Sequence, residues 1–332
     1  MNLKQRIHLL VQLGDYMLSG DPPWQTAKER AHAENGWFIP EFIHVAITNI
    51  VDAYLKRDKL EAWVSSYHLQ AEVPIPKNIG LIMAGNIPLV GFHDFLSVFV
   101  SGHRQTVKPS AKDSALIRHL VEHLHSLEPS TRHLVCFAEM MKGCDAYIAT
   151  GSNNSSRYFE YYFAKYPHLI RRNRSSAGIL TGNETENELA GFTDDLCLYF
   201  GLGCRNVSKM YVPRNYDFTP FLAALSKYVW QLDHHKYRNN YDYQLAVLLL
   251  NNTYFMAAGP LLITQSALLN SPISVLNFEY YEHEDDVLSV LKADEGLQCI
   301  IGQNQTPFGL AQRPTLTDYA DGADTLQFLQ RC

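Results

Sequence analysis

With 332 residues, 46% hydrophobic and 19% charged, the chain has the composition of an ordinary globular protein of about two domains, which excludes a disordered or low-complexity scaffold. Its formal net charge of −6 excludes a dedicated nucleic-acid binder, which carries a basic surplus. No apolar run is long enough for a membrane span, the first residues meet Gln12 and Asp15 too soon for a signal-peptide core, and six scattered cysteines make no disulfide framework, so a cytoplasmic protein is expected.

Residues 1–72 carry apolar side chains such as Ile7, Val11, Ile43, Ile47, Ile50 and Val51 at helical spacing, which predicts a helical N-terminal segment. An apolar run over 79–84 bounded by turn residues reads as a buried strand. From there the pattern alternates: a helix after Pro88, a strand over 105–107, helices over 111–125 and 131–141, a strand over 146–149 and a helix over 155–164. Strands alternating with helices in units of roughly 30 residues predict βαβ crossovers and a parallel sheet. A second block opens near Ala177, with a helix to Phe200, strands over 208–212 and 273–276, long helices between Phe218 and Phe255, and a helix to Leu291 behind the acidic stretch 279–286. The reading is α/β, two Rossmann-like parallel-sheet domains in series. It comprises a helical segment 1–72, a nucleotide-binding domain 73–175, a catalytic domain 176–305 and a tail 306–332 that packs back near the active site.

Three short stretches carry chemistry. Ala84-Gly85-Asn86 places an amide at the carboxyl end of a strand, where open α/β sheets bind ligands, and its NH2 group is suited to donate to a developing oxyanion. Lys108-Pro109-Ser110 ends the next strand with a cation suited to a ribose or phosphate and a hydroxyl suited to cap the following helix. Cys204 sits between Gly203 and Arg205 in a turn with room for substrate, beside a cation that favours the thiolate. Each residue has a plainer reading: Asn86 as the cap of a helix starting at Ile87, Lys108 as a solvated strand end, Gly151-Ser152 as a strand-to-helix turn, Cys204 as an inert small hydrophobe.

Together these stretches resemble the aldehyde dehydrogenase superfamily. Asn86-Ile87-Pro88, followed 22 residues after the Asn by Lys108-Pro109-Ser110, is similar to that family's Asn-Phe-Pro and Lys-Pro-Ser pair. Thr150-Gly151-Ser152 resembles its turn under the cofactor, Gly201-Leu202-Gly203-Cys204 its nucleophile loop, and Pro307-Phe308-Gly309 its closing motif. Within the superfamily the similarity is greatest to the acyl-CoA reductase branch, the long-chain fatty-acyl-CoA reductases of bacterial luminescence. The resemblance implies Cys204 and Asn86 as catalytic residues, and Lys108, Ser110, Gly151 and Ser152 as residues that hold a nicotinamide cofactor, with NADPH expected ahead of NADH. It implies reduction of an acyl-CoA or acyl-carrier-protein thioester to an aldehyde, with a homo-oligomer or an acyl-transfer enzyme as partner.

Two departures shape that expectation. The family's general-base Glu falls on 168–174, which holds no acid, and an enzyme that does not hydrolyse its acyl intermediate needs none. The clasp on the nicotinamide ribose falls on 267–272, which reads Ala-Leu-Leu-Asn-Ser-Pro. Other readings are an aldehyde-oxidising or acylating dehydrogenase, a non-catalytic acyl-binding member of a biosynthetic complex, and a zinc hydrolase using His119-x-x-Glu122-His123, whose two His lie on one helical face.

Overall fold

The computed structural model describes residues 1–332, Asn153 by its backbone alone. The chain forms two compact units, Met1–Asn173 with Pro314–Cys332, and Arg174–Arg313. The sequence reading divides it instead at 72, 175 and 305.

The first unit opens with four helices, α1 (Leu3–Met17), α2 (Pro22–Glu34), α3 (Pro40–Tyr54) and α4 (Arg57–Ser66). Local chemistry fixes their starts. Asn2 and Gln5 form a reciprocal capping box on α1, and prolines occupy the first turns of α2 and α3, where a missing N–H costs nothing. These are followed by β1 (Asn78–Ile82), α5 (Phe92–Ser101), β2 (Arg104–Lys108), α6 (Ala115–Leu127), β3 (Val135–Phe137), β4 (Ala146–Thr150), α7 (Asn153–Phe163) and β5 (His168–Arg171). The five strands form a wholly parallel sheet in the order β3-β2-β1-β4-β5. One core joins Leu10, Leu13 and Trp24 of the N-terminal helices to Leu81, Phe95, Val107 and Leu120 around the sheet, and Leu316, Tyr319, Leu326 and Leu329 of the tail belong to it. Each such side chain contributes about 1.5–3 kcal/mol of transfer free energy.

The second unit runs β6 (Ser175–Ile179), α8 (Glu186–Cys197), β7 (Val207–Pro213), α9 (Thr219–Ala224), α10 (His235–Leu250), β8 (Phe255–Ala258), β9 (Leu261–Gln265), β10 (Val275–Tyr281), α11 (Glu284–Ala293) and β11 (Leu297–Ile301). Its sheet has the order β11-β6-β7-β10-β9-β8 and is parallel except at β8, which joins β9 as an antiparallel edge. A further helix, α12 (Thr325–Gln330), lies in the tail of the first unit.

The predicted class, two parallel-sheet α/β domains behind a helical start, is the one the chain adopts. The helix expected over 131–141 is instead a 3-10 turn, Pro129–His133, and the three-residue strand β3. Val135 and Phe137 give no helical stripe to bury, and pairing with β2 satisfies the backbone. The strand expected over 273–276 begins at Val275 and runs through Glu279 to Tyr281, leaving Glu284, Asp285 and Asp286 as the acidic first turn of α11. No helix is long and apolar enough to cross a membrane among the described residues.

Candidate functional site

In the first unit the residues picked out by sequence gather along one edge. Asn86 follows β1, Lys108 ends β2, Ser110 follows it, and Gly151 and Ser152 follow β4. All lie at or beyond the carboxyl ends of parallel strands, and β1 and β4 flank the point where strand order reverses. The loops after β1 and β2 are in close contact. A Cβ on Gly85 would lie 2.6 Å from both Cβ and Oγ of Ser110, so only glycine lets the Asn86 loop approach this closely.

Asp113 locks the same loop from below. Its Oδ2 accepts the Leu89 N–H at 2.7 Å, holding Leu89 at φ +56°. Burial pushes the Asp113 carboxyl up to about 7, against the downward pull of that N–H. Lys108 is half-buried and makes no ion pair among the described residues. Ser152 caps α7 by accepting the Ser155 N–H at 3.3 Å. A half-buried cation without a counterion, a capped helix start and a glycine-lined parallel edge fit a dinucleotide phosphate.

Two local expectations change. Ser110 does not cap the next helix: its Oγ accepts the Lys112 N–H at 3.2 Å in a short side-chain turn, and α6 starts after Ser114. Asn86 is not the cap of a helix at Ile87, because Leu89 is left-handed and α5 begins only at Phe92, after Gly91.

Cys204 belongs to the second unit, in the connection from α8 to β7. The approach is strained: Tyr199 and Phe200 are both left-handed, at φ +54° and +56°, and Gly201 continues the turn at +73°. Each non-glycine residue costs about 1–2 kcal/mol there, offset by burial of Phe200 against His234 and Tyr237, with ring centroids at 4.6 and 5.4 Å. The chain then turns sharply, with the Asn206 N–H donating to the Gly203 carbonyl at 3.1 Å, so Cys204 and Arg205 occupy the two corner positions.

Asn206 holds this turn from within. Its Oδ1 accepts the Gly203 N–H at 2.8 Å, and its Nδ2 donates to the carbonyls of Asp195 at 3.0 Å and Leu198 at 2.9 Å at the end of α8. Because Gly203 is held at both its N–H and its C=O, the peptide that carries the Cys204 N–H has a fixed direction. The side chain of Asp195 reaches the other way and accepts the N–H groups of Gly309 at 2.7 Å and Ala311 at 2.9 Å. Burial raises its carboxyl to about 7, the two N–H donors lower it, and Asp194 raises it further. Pro307-Phe308-Gly309 is thereby pinned to the helix that ends beside the Cys204 turn. Gly191 permits the contact, since a Cβ there would stand 3.0 Å from the Phe308 backbone.

The remaining stretches have structural roles. Segment 168–174 supplies β5, and its Arg171 is buried against Asp94 at 2.7 Å with Thr325 and the Ala320 carbonyl as further partners. Segment 267–272 is stapled from neighbouring strands: Lys209 Nζ donates to the Ala267 carbonyl at 2.9 Å and pairs with Glu279 at 2.6 Å, and Asn277 Nδ2 donates to Leu268 and Asn270. His119 and His123 enter a ring stack. Tyr16 Oη lies 2.7 Å from His119 Nε2, and the Tyr16 ring lies on His123 at 3.5 Å. No group of three or more His, Cys, Asp or Glu is placed to hold a metal among the described residues, so the zinc reading finds no third ligand. Sequence reasoning missed Asn206, Asp195 and Asp113. Only Asn206 left a signal, an Asn three residues after a glycine in a turn.

No protein-family model matches the chain, and no curated protein matches it by sequence. Solved structures do match. An aldehyde dehydrogenase from Bacillus cereus in complex with NAD+ is similar at TM-score 0.64 and 14% identity, over 87% of this chain and 69% of that one. A Mycobacterium tuberculosis aldehyde dehydrogenase complexed with NAD+ gives 0.63 and 14%, over 87% and 71%. An E. coli NADP dependent enzyme gives 0.61 and 12%, over 87% and 70%. At these identities the similarity establishes the fold: the chain has the architecture of the aldehyde dehydrogenases.

Proposed function

We propose that the chain is an NAD(P)H-dependent acyl-thioester reductase with Cys204 as its nucleophile. The observation that carries the reading is the Cys204 turn. A thiol stands at the corner of a turn held on both sides of the preceding glycine, reached through two strained residues, in a fold shared with NAD+- and NADP-using enzymes. Strain kept by surrounding packing is a mark of functional loops.

In this reading the Cys204 thiolate attacks the thioester carbonyl. A new C–S bond forms, the carbonyl oxygen becomes an oxyanion, and the Cys204 N–H and the Asn86 side chain donate to it. Collapse breaks the bond to coenzyme A or a carrier protein, which leaves as its thiolate, and the acyl group remains on Cys204. A nicotinamide cofactor, when bound, would supply the hydride; as the aldehyde forms, its bond to Cys204 breaks and the Cys204 thiolate is regenerated. Lys108, Ser110, Gly151 and Ser152 are the residues assigned to hold it. Lys108 suits a 2′-phosphate, which favours NADPH over NADH. Segment 168–174 carries no acid and commits Arg171 to Asp94, which suits an enzyme that does not send water to its acyl intermediate.

The test is intact-protein mass spectrometry after incubation with a panel of acyl-CoA thioesters, on wild type and Cys204→Ala. A thiol-labile acyl adduct on wild type alone is expected. Absence of any adduct, from acyl-CoA and acyl carrier protein alike, overturns the reading.

A further inference from the structure

The Cys204 turn is held from a second side by a residue with no part in the reading above. Ser176, on β6, is fully buried, and its Oγ lies 3.0 Å from the Cys204 carbonyl oxygen and 3.0 Å from Cys299 Sγ on the neighbouring strand β11. Its backbone N–H donates to the Asn206 carbonyl at 3.3 Å, so one residue holds two carbonyls of the turn. A serine hydroxyl has a single proton. Of the two acceptors it faces, the carbonyl oxygen is the stronger, so the proton goes to Cys204. The contact with Cys299 must then run the other way, with the thiol donating.

We propose that Ser176 and Cys299 are positioning residues for Cys204, the Cys299 S–H donating to Ser176 Oγ and so directing the Ser176 proton onto the Cys204 carbonyl. The positive end of that hydroxyl points at the nucleophile residue and fixes the peptide between Cys204 and Arg205, as Asn206 fixes the one before it. Cys299 is half-buried and lines a cavity of about 570 Å³ with Arg174, Asp294, Gln298, Asn304 and Thr306. The far end of the relay is therefore open to small molecules. Without the S–H, the Ser176 hydroxyl loses the donor that orients it, and the turn loses its second anchor. The inference rests on Cys204 being the nucleophile only for its catalytic consequence.

The test measures the rate of Cys204 alkylation by iodoacetamide in the full chain, resolved by peptide mass spectrometry. Wild type is compared with Ser176→Ala, Ser176→Thr, Cys299→Ala and Cys299→Ser, and each variant's melting temperature is recorded. Cys204 labelling is expected to fall at least threefold in both alanine variants. It should return to within a factor of 1.5 of wild type in Ser176→Thr and Cys299→Ser, which keep a hydroxyl donor. Alanine variants that label like wild type, or a Cys299→Ser variant that behaves like Cys299→Ala, overturn the proposal. If Ser176→Ala does not fold, the Cys299 pair decides alone. Labelling needs no acyl donor, so a wild type that shows this pattern yet takes no acyl group sinks the reductase reading and leaves the positioning role standing.

Discussion

Replacing Asn206 tests whether the nucleophile turn is held by one side chain. The Asn206→Ala variant loses the acceptor for the Gly203 N–H and the donor to the Asp195 and Leu198 carbonyls, which lie at the C-terminal end of α8 where no intrahelical partner exists. The site is buried, so water does not take over. A buried group left unpaired costs about 1–3 kcal/mol, and with these three bonds lost we expect about 3 kcal/mol. For a unit spanning Arg174–Arg313 that corresponds to a fall of roughly 9 °C in its Tm. The Asn206→Asp variant sharpens the argument. It keeps the acceptor but turns a second oxygen toward two carbonyls, which disfavours the carboxylate and raises its folded pKa above the unfolded value. Its stability is then greatest at low pH and is lost as pH rises from the unfolded pKa to the folded one. Thermal denaturation between pH 4 and 8, with hydrogen exchange of a peptide covering 198–207, measures both effects. A loss under 1 kcal/mol in Asn206→Ala, with unchanged exchange in that peptide, would refute the reasoning.

Two other perturbations follow from the same geometry. The Asp195 carboxyl, raised from 3.8 to about 7, is protonated in the folded chain where the unfolded chain has lost its proton, so its contribution falls as pH rises from about 4 to 7 and is level above. The difference in stability between wild type and Asp195→Asn should therefore shift by up to about 4 kcal/mol across that window, read from denaturation at each pH; a constant difference contradicts the assignment. Gly85→Ala drives a Cβ into Ser110 and must part the loops after β1 and β2. NADPH binding, followed by fluorescence titration, should weaken at least tenfold while Cys204 alkylation stays at the wild-type rate.

Much of the fold is written in local pattern. The run Ile79–Ile82 in β1, the stretch 146–149 in β4, and the acidic residues 284–286 that open α11 each show the period or punctuation of their element, and the structure places them there. What local pattern does not show is pairing. β3, β5, β8 and β11 have three to five residues each and no distinctive period. They are strands because a neighbouring strand offers unsatisfied N–H and C=O groups, information that lies elsewhere in the chain. The tail is a similar case: only the tertiary structure shows Trp63 Nε1 donating to the Tyr319 hydroxyl at 2.9 Å, across more than 250 residues of sequence.

The candidate site divides along the same line. Residues whose chemistry is exposed by punctuation, such as Asn86 after a strand, Lys108 before a proline and Cys204 after a glycine, stand out in the sequence. The residues that fix the neighbouring backbone do not: Asp113, Asp195 and Ser176 are ordinary polar residues whose meaning lies in being buried against backbone N–H or carbonyl groups. A buried carboxyl raised to about 7 is a poor contributor to stability by itself. Asp113 accepts the Leu89 N–H just after Asn86-Ile87-Pro88, Asp195 the N–H groups of Gly309 and Ala311, and Asn206 the Gly203 N–H just before Cys204, which argues that these loops are held in conformations the backbone would not adopt alone. The left-handed Leu89 beside Asn86 and the left-handed Tyr199 and Phe200 before Cys204 are the conformations being held. Strain in each loop, with a polar clamp beside it, is what a preorganised donor or nucleophile requires, because a group fixed before charge develops needs no reorganisation.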